Sequence, residues 1–363
     1  MRSKTRTTAF DMSEHDFIID LKDPVLVTGA NGFVGSRVVT TLLSYGFQKI
    51  RCLVRDKNKS KILLDSIANQ DKERIEVVYG NLLSRDVCKT ASEGVSVIYH
   101  LAAGVGKSFP DCFLNSVVTT KNLLDAVIEA RTIRRFVNVS SIAVYSCEGL
   151  SNGDRLDEAC MVENEFMERY EAYVFGKVKQ DQIVRDYGRK FNLPYVIVRP
   201  SVVFGPGKAK ITDRIGTDTF GLFLHLGLGN RIPMTYVDNC AEAIVLAGLK
   251  RGVDGEAFNI VDDDLPRSRD FLKLYKKKVR NFLSIPVPHP VWYLFCAFWE
   301  MYSKWSDGQL PPVFNRKVYR VYWRNYECSN EKAKRLLGWY PRVKMGDALD
   351  KFFAYMRSVE NRK

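Results

Sequence analysis

The sequence predicts an α/β protein, a Rossmann-type doubly wound parallel sheet followed by a smaller, mixed C-terminal lobe that would hold the substrate. Three observations predict it. Short β-rich runs alternate with longer helical patterns from Pro24 to Arg199, and a glycine-rich turn follows the first run. After Arg199 the alternation decays into glycine- and proline-rich loops mixed with isolated helices. A chain of 363 residues can hold one large core or two lobes. Its 46% hydrophobic and 27% charged content is that of a globular protein and excludes disorder or a fibrous repeat.

Strands are expected at Val25 to Thr28, Ile50 to Val54, Ile75 to Tyr79, Val97 to His100, Phe136 to Ser140 and Tyr195 to Val198. Their nearly unbroken apolar runs suit burial on both faces. A dinucleotide-binding domain is expected over residues 21–200 and a mostly substrate-binding lobe over 201–363, with residues 1–20 a flexible N-terminal tail. In the second lobe, helical patterns run over Val237 to Leu249, Arg269 to Phe282, Val291 to Ser303 and Asn330 to Leu337, the last capped by Ser329 and stopped by Gly338.

The formal charge of +13 suits nucleic acid, an anionic membrane or acidic small molecules and alone selects none of them. No nucleic-acid-binding motif organises the basic residues, so nucleic acid is not an expected partner. Eight cysteines stand singly, without a CxxC pair, and read as reduced, mostly buried thiols of a cytoplasmic protein. His15, His100, His225 and His289 form no helix-spaced pair with an acidic partner, so no catalytic metal is expected. Met1 to Asp20 lacks the apolar core of a secretory signal. Val291 to Trp299 is about half the ~20 residues that cross a bilayer. The basic run Phe271 to Arg280 and the aromatic run after it make residues 271–303 a candidate for peripheral membrane contact, against the plainer reading of a solvated basic face and a buried aromatic stripe.

Val25-Leu26-Val27-Thr28 runs directly into Gly29-Ala30-Asn31-Gly32-Phe33-Val34-Gly35 and then into the helical pattern Ser36 to Tyr45. In this strand, turn and helix, glycines let backbone N–H groups approach a pyrophosphate and let the helix pack close to the strand. The helix N-terminus then stabilises the phosphates. After the second strand, an acidic side chain would favour NAD and an arginine NADP. Arg55 ends that strand and Asp56 follows on a turn, which favours NADP over NAD.

Tyr173 and Lys177 stand four apart, on one face of a helix. A phenol with an ordinary pKa near ~10 needs a nearby cation to ionise usefully at neutral pH, and Lys177 would supply it. The strand ending in Ser140-Ser141 places hydroxyls at the carboxyl edge of the sheet, where such folds bind ligands.

With Thr28 to Gly35, His100-Leu101-Ala102-Ala103, Ser141, Tyr173/Lys177 and Arg199-Pro200 followed by Gly205-Pro206-Gly207, the chain resembles the extended short-chain dehydrogenase/reductase superfamily over nearly its whole length. The resemblance is to the NAD-dependent epimerase/dehydratase group and to its 3β-hydroxysteroid dehydrogenase-like and dihydroflavonol reductase-like neighbours. It implies that Tyr173 is the general acid/base, that Ser141 rather than Ser140 polarises the reacting oxygen, and that Lys177 lowers the tyrosine pKa and holds the nicotinamide ribose. The cofactor set it implies is Gly29, Asn31, Gly32, Phe33, Val34, Gly35, Arg55, Asn81, Leu82, Leu101, Ala102 and Ala103, with Tyr173 and Lys177. A homodimer would also be in keeping with such relatives.

Some positions depart from the pattern. Asn81 stands where an aspartate commonly contacts adenine, Ser116 where an asparagine is frequent, and Gly176 before the lysine. Ile142-Ala143 replace the Asp-Glu pair that a 4,6-dehydratase uses to expel water, which argues against elimination. The expected activity is NAD(P)-dependent interconversion of a secondary alcohol and a ketone. A nucleotide-sugar epimerase working through a transient ketone, and a dinucleotide sensor without turnover, are the alternatives.

Overall fold

The computed structural model describes residues 17–65, 67–106, 108–219, 221–307 and 309–362. The first half lays down β1 (Val25–Thr28), α1 (Phe33–Ser44), β2 (Ile50–Val54), α2 (Lys57–Asp65), β3 (Ile75–Tyr79), α3 (Arg85–Ser92) and β4 (Val97–His100). Next come α4 (Phe109–Cys112), a π-helical turn at Phe113–Val118, α5 (Thr119–Ala130) and β5 (Arg135–Val139). A short β6 (Arg155–Leu156) and α6 (Phe166–Arg169) lead to the long α7 (Ala172–Phe191) and to β7 (Tyr195–Pro200). All six expected strands are present, with the fifth starting one residue early and the sixth running two residues further.

The second half contributes β8 (Val202–Phe204), β9 (Gly216–Thr219), β10 (Leu222–His225), β11 (Met234–Tyr236), α8 (Val237–Leu249) and β12 (Ala257–Ile260). It continues with α9 (Ser268–Lys278), β13 (Ser284–Pro286), α10 (His289–Trp305), α11 (Arg316–Trp323), β14 (Glu327–Cys328) and α12 (Met345–Glu360). Seven strands form the central sheet in the order β12-β7-β5-β4-β1-β2-β3, every pair parallel. The chain order reverses direction between β1 and β4, and that crevice is where doubly wound sheets bind ligands.

Past residue 200 the chain still contributes to the main sheet and its core. β12 extends the main sheet beside β7, and α8 packs on the same core as α1, with twelve of its thirteen residues buried. A helix this largely apolar and buried nearly all round belongs to the core that covers the sheet. The second hydrophobic core, built from Phe204, Tyr236, Phe271, Tyr275, Phe352 and their neighbours, is the true C-terminal lobe.

Residues 1–16 of the expected tail lie outside the described residues, but 17–20 are not tail-like. Phe17 bridges Lys250 and Ile18 N donates to the Leu249 carbonyl at the end of α8, and Phe17 and Ile19 are buried in the main core. Near the C-terminus, the helical turn after Asn330 ends at Gly338 with φ +65°, a conformation suited to glycine. Among the described residues, no helix is long and apolar enough to cross a membrane.

Candidate active site

The turn after β1 depends on two missing side chains. Gly29 has φ +67°, and a Cβ there would lie 3.1 Å from the Ala102 backbone nitrogen. A Cβ on Gly35 would lie 2.1 Å from the Gly29 carbonyl oxygen, so no other residue lets α1 settle this close to the strand. The helix begins at Phe33, three residues before the expected start, and Phe33, Val34 and Gly35 form its first turn. Gly32 is the N-cap, no side chain caps the helix, and the first turn holds no acidic residue. The first-turn amides and the positive end of the helix dipole are left to an anion, as a pyrophosphate requires.

Beneath this cradle a neutral histidine sets the crevice. Ala102 N donates to Thr28 Oγ1, which lies 2.9 Å from His100 Nδ1, while His100 Nε2 lies 2.9 Å from Thr120 Oγ1. Thr120 in turn donates to the Ser116 carbonyl. With each hydroxyl giving its one proton, the network assigns the ring proton to Nε2. Burial, helped by the charge of Lys177, drops the His100 pKa to about 3, so the ring stays uncharged and serves to join β1, β4 and α5.

Ser116 does not take the place of a family asparagine in the cleft. Its buried hydroxyl accepts from Gly104 N at 2.9 Å. Gly176 explains itself against the same atom, since a Cβ there would come within 3.0 Å of Ser116 Oγ. The two departures from the family pattern are a matched pair.

Ser141 caps a 3₁₀ turn at Ile142–Val144, accepting from Ala143 N at 3.2 Å, and is partly exposed to the cleft, whereas Ser140 is buried. Tyr173 and Lys177 lie on α7, one turn apart, and both line the same cleft as Ser141. Lys177 is buried and donates to the Val139 carbonyl at 2.7 Å. Burial lowers its pKa to about 8 against the upward pull of Asp181.

The largest influences on the Tyr173 phenol come from burial and from neighbours other than Lys177. Burial dominates and holds the Tyr173 phenol above its ordinary value, Ser141 pulls it down, and Asp181 and Cys112 push it further up. The phenol is therefore neutral and ready to donate. Desolvation penalises the phenolate and the ammonium alike, and the lysine charge is directed at a backbone carbonyl.

The cleft has a volume of about 660 Å³. One wall is Gly29, Gly32, Phe33, Val34, Gly35, Leu101 and Ala103, all expected cofactor residues, and the floor is Ser141, Tyr173 and Lys177. Asn31, Arg55, Asn81, Leu82 and Ala102 do not line it. Arg55 and Asn81 follow the carboxyl ends of β2 and β3, exposed, with Arg55 Nη1 3.4 Å from Asn115 Oδ1 and the Asn81 side chain accepting from Leu83 N. Leu82 is buried in the core behind the sheet.

The opposite wall was not foreseen. Met234, Phe271, Tyr322 and Phe352 supply apolar surface, and Lys208, Lys210 and Arg214 supply cations. The Gly205-Pro206-Gly207 loop leads into Lys208. No spacing brings residues 271, 322 and 352 to one place.

The family model described as NAD dependent epimerase/dehydratase family matches residues 25–261. A 3 beta-hydroxysteroid dehydrogenase/Delta 5→4-isomerase of Mycobacterium tuberculosis is 26% identical over 353 residues, 92% of this chain and 90% of that protein. Cinnamoyl-CoA reductase 1 of Petunia hybrida is 30% identical over 184 residues, 50% of this chain and 55% of that protein. Among solved structures, the UDP-glucuronic acid 4-epimerase of Bacillus cereus in complex with NAD superposes with a TM-score of 0.68 at 21% identity, covering 93% of this chain and 99% of that one, a likeness of fold.

The buried ammonium makes a pH prediction. Below about pH 8, folded and unfolded chains both carry the Lys177 proton and the folded chain bears the full desolvation cost. Between about 8 and the ordinary 10.5 the unfolded chain binds more protons, so stability rises with pH. Lys177→Met should remove that rise, read as the wild-type-minus-variant difference in urea unfolding at about pH 7 and about pH 9.5. A difference that does not change with pH would contradict the assignment.

Proposed function

The chain belongs to the NAD dependent epimerase/dehydratase family, and from that premise we propose that it is an NAD(P)-dependent oxidoreductase interconverting a secondary alcohol and a ketone. The observation that carries this reading is the convergence of the glycine cradle with Ser141, Tyr173 and Lys177 on one cleft. A dinucleotide sensor would have no use for the last three together.

A bound nicotinamide would supply the hydride acceptor or donor and, when oxidised, a positive charge beside the phenol. Ser141 would hold the reacting oxygen by a hydrogen bond. Tyr173 would give its proton to the ketone oxygen in reduction and take the alcohol proton in oxidation. Lys177, already held at the Val139 carbonyl, would donate its remaining protons to the nicotinamide ribose hydroxyls. The raised phenol pKa makes the neutral, proton-giving form the resting one, which suits reduction at neutral pH.

NADP is the cofactor we favour. The Asp56 carboxylate accepts from Asn58 N at 2.9 Å and is so engaged at the start of α2. The exposed Arg55 guanidinium, at the end of β2, gives one N–H to Asn115 at 3.4 Å and has others to offer a 2′-phosphate.

A nucleotide-sugar epimerase is the second reading, favoured by Lys208, Lys210 and Arg214 in the cleft wall. It carries less weight because these cations already have partners. Lys210 pairs with Asp213, Arg214 donates to the Val321 carbonyl and stacks on Tyr322, and Lys208 lies over Phe33.

Two substitutions test the proposal. Tyr173→Phe should keep dinucleotide binding and lower turnover of secondary alcohols by about 10²- to 10⁴-fold, followed by nicotinamide absorbance. Unchanged turnover would sink the Tyr173 mechanism, and sugar inversion without net cofactor reduction would favour the epimerase. Arg55→Ala should raise KM for NADP about tenfold or more, the loss of one charge-assisted hydrogen bond, and leave KM for NAD nearly unchanged. Equal effects on both cofactors would remove the NADP preference.

A further inference from the structure

The sequence expectation for residues 271–303 leaves open whether the aromatic run is buried. In the structure the side chains of α10 divide into three sectors. Trp292, Cys296 and Ser303 face inward and are buried, with Trp292 edge-on to Phe314 and Trp323. Glu300 and Lys304 form a polar edge, paired with each other, and Glu300 also pairs with Arg316.

The third sector is apolar and uncovered. Val291, Leu294, Phe298, Met301, Tyr302 and Trp305 recur at the three- and four-residue spacing of one helix face, and are 55, 55, 64, 64, 49 and 79% exposed. Trp299 Nε1 donates to the Pro311 carbonyl and Ser303 Oγ to the Leu310 carbonyl, laying the exposed Leu310 and Val313 beside the end of the helix. A contiguous apolar face of this length marks an interaction surface.

Charge selects the occupant. Residues 267–325 hold twelve Lys and Arg against three Asp and Glu, so this stretch carries nine of the thirteen net positive charges. Lys276 donates to Ser284 Oγ, which ties the lysine-rich end of α9 to β13, just before α10. Lys273 and Lys277 on the same helix are exposed. A second copy of the chain would bring a like-charged region against this one, whereas an anionic lipid surface brings the opposite charge and an apolar layer beneath it. At seventeen residues α10 is too short to span a bilayer but well suited to lie in its surface.

We propose that α10 docks the protein on an anionic lipid leaflet, its uncovered face set into the boundary between headgroups and acyl chains and the lysines of α9 above it. The uncovered face points away from the cleft, with the inward side of α10 and then α11 between them. Tyr319 and Trp323 of α11 pack against Tyr293 and Trp292 of α10, while Tyr322 of the same helix lines the cleft. The docking does not rest on the oxidoreductase reading.

The test is co-sedimentation of the full chain with vesicles of phosphatidylcholine alone and with about 30% phosphatidylserine. Binding to the anionic vesicles should be at least about tenfold stronger and should weaken as salt is raised. The double variant Phe298→Glu/Met301→Glu should lose about tenfold or more of that binding, with an unchanged melting curve and unchanged turnover of a water-soluble alcohol, since both side chains are exposed. The pair Lys273→Glu/Lys277→Glu should abolish the preference for phosphatidylserine. Failure of the wild type to bind anionic vesicles, or equal binding by the glutamate variant, would overturn the proposal. So would a variant that turns a dimer into a monomer while vesicle binding persists. Vesicle binding with no alcohol turned over would leave docking standing and remove the oxidoreductase reading.

Discussion

Lys177 carries a charge into a nearly waterless position, and much of the site is arranged around that cost. Its ammonium is held by the Val139 carbonyl, at the end of β5, and lies in the field of Asp181 one turn further along α7. Asp181 is itself buried, and burial pushes its pKa up against the pull of Arg199. Arg199 meets it at 3.2 Å, Asn138 donates to its other oxygen at 2.8 Å, and Arg199 also donates to Tyr145, which donates to Asn259 on β12. One buried polar network thus joins β5, α7, β7 and β12. Removing one partner from such a pair typically costs ~3–5 kcal/mol, because the other charge is left alone.

The same network explains why the molecule does not divide where its alternating pattern ends. The Asn259 side chain accepts from Tyr145 and its backbone N–H donates to Glu158, so β12 is stitched to the loop after Ser141. The C-terminal lobe then only has to close the cleft, which it does with Phe271 and Phe352 from one core and Tyr322 from another region of the chain. Positions on the glycine side are tightly constrained by backbone contact, while the far wall is made of side chains that can vary. That division suits a common dinucleotide on one side and a chain-specific substrate on the other.

Much of the sheet was legible because strands buried on both faces must be apolar without interruption, and β1 to β5 and β7 stand out as such runs. α8 was legible to the residue for the same reason. β12 was not, since Ala257-Phe258-Asn259-Ile260 is short, is interrupted by a polar residue and follows a helix instead of alternating with others. The glycine turn and the Tyr173/Lys177 pair could be placed from local spacing and Ser141 through the family resemblance, and all of them line one cleft. What Lys177 does to Tyr173 could not, because it depends on which way a buried ammonium points and on how much water is left around the phenol. The far wall was invisible for a simpler reason, that tertiary contacts across a hundred residues leave no periodicity.

On the proposed reading Tyr173 is a half-buried, neutral acid whose proton would become mobile with an oxidised nicotinamide beside it. The most direct measurement is the ultraviolet phenolate titration of wild type minus Tyr173→Phe, with and without saturating oxidised cofactor. Tyr173 should ionise above the ordinary tyrosine range in the free protein and at clearly lower pH in the complex. An unshifted titration in the presence of bound cofactor would contradict the account.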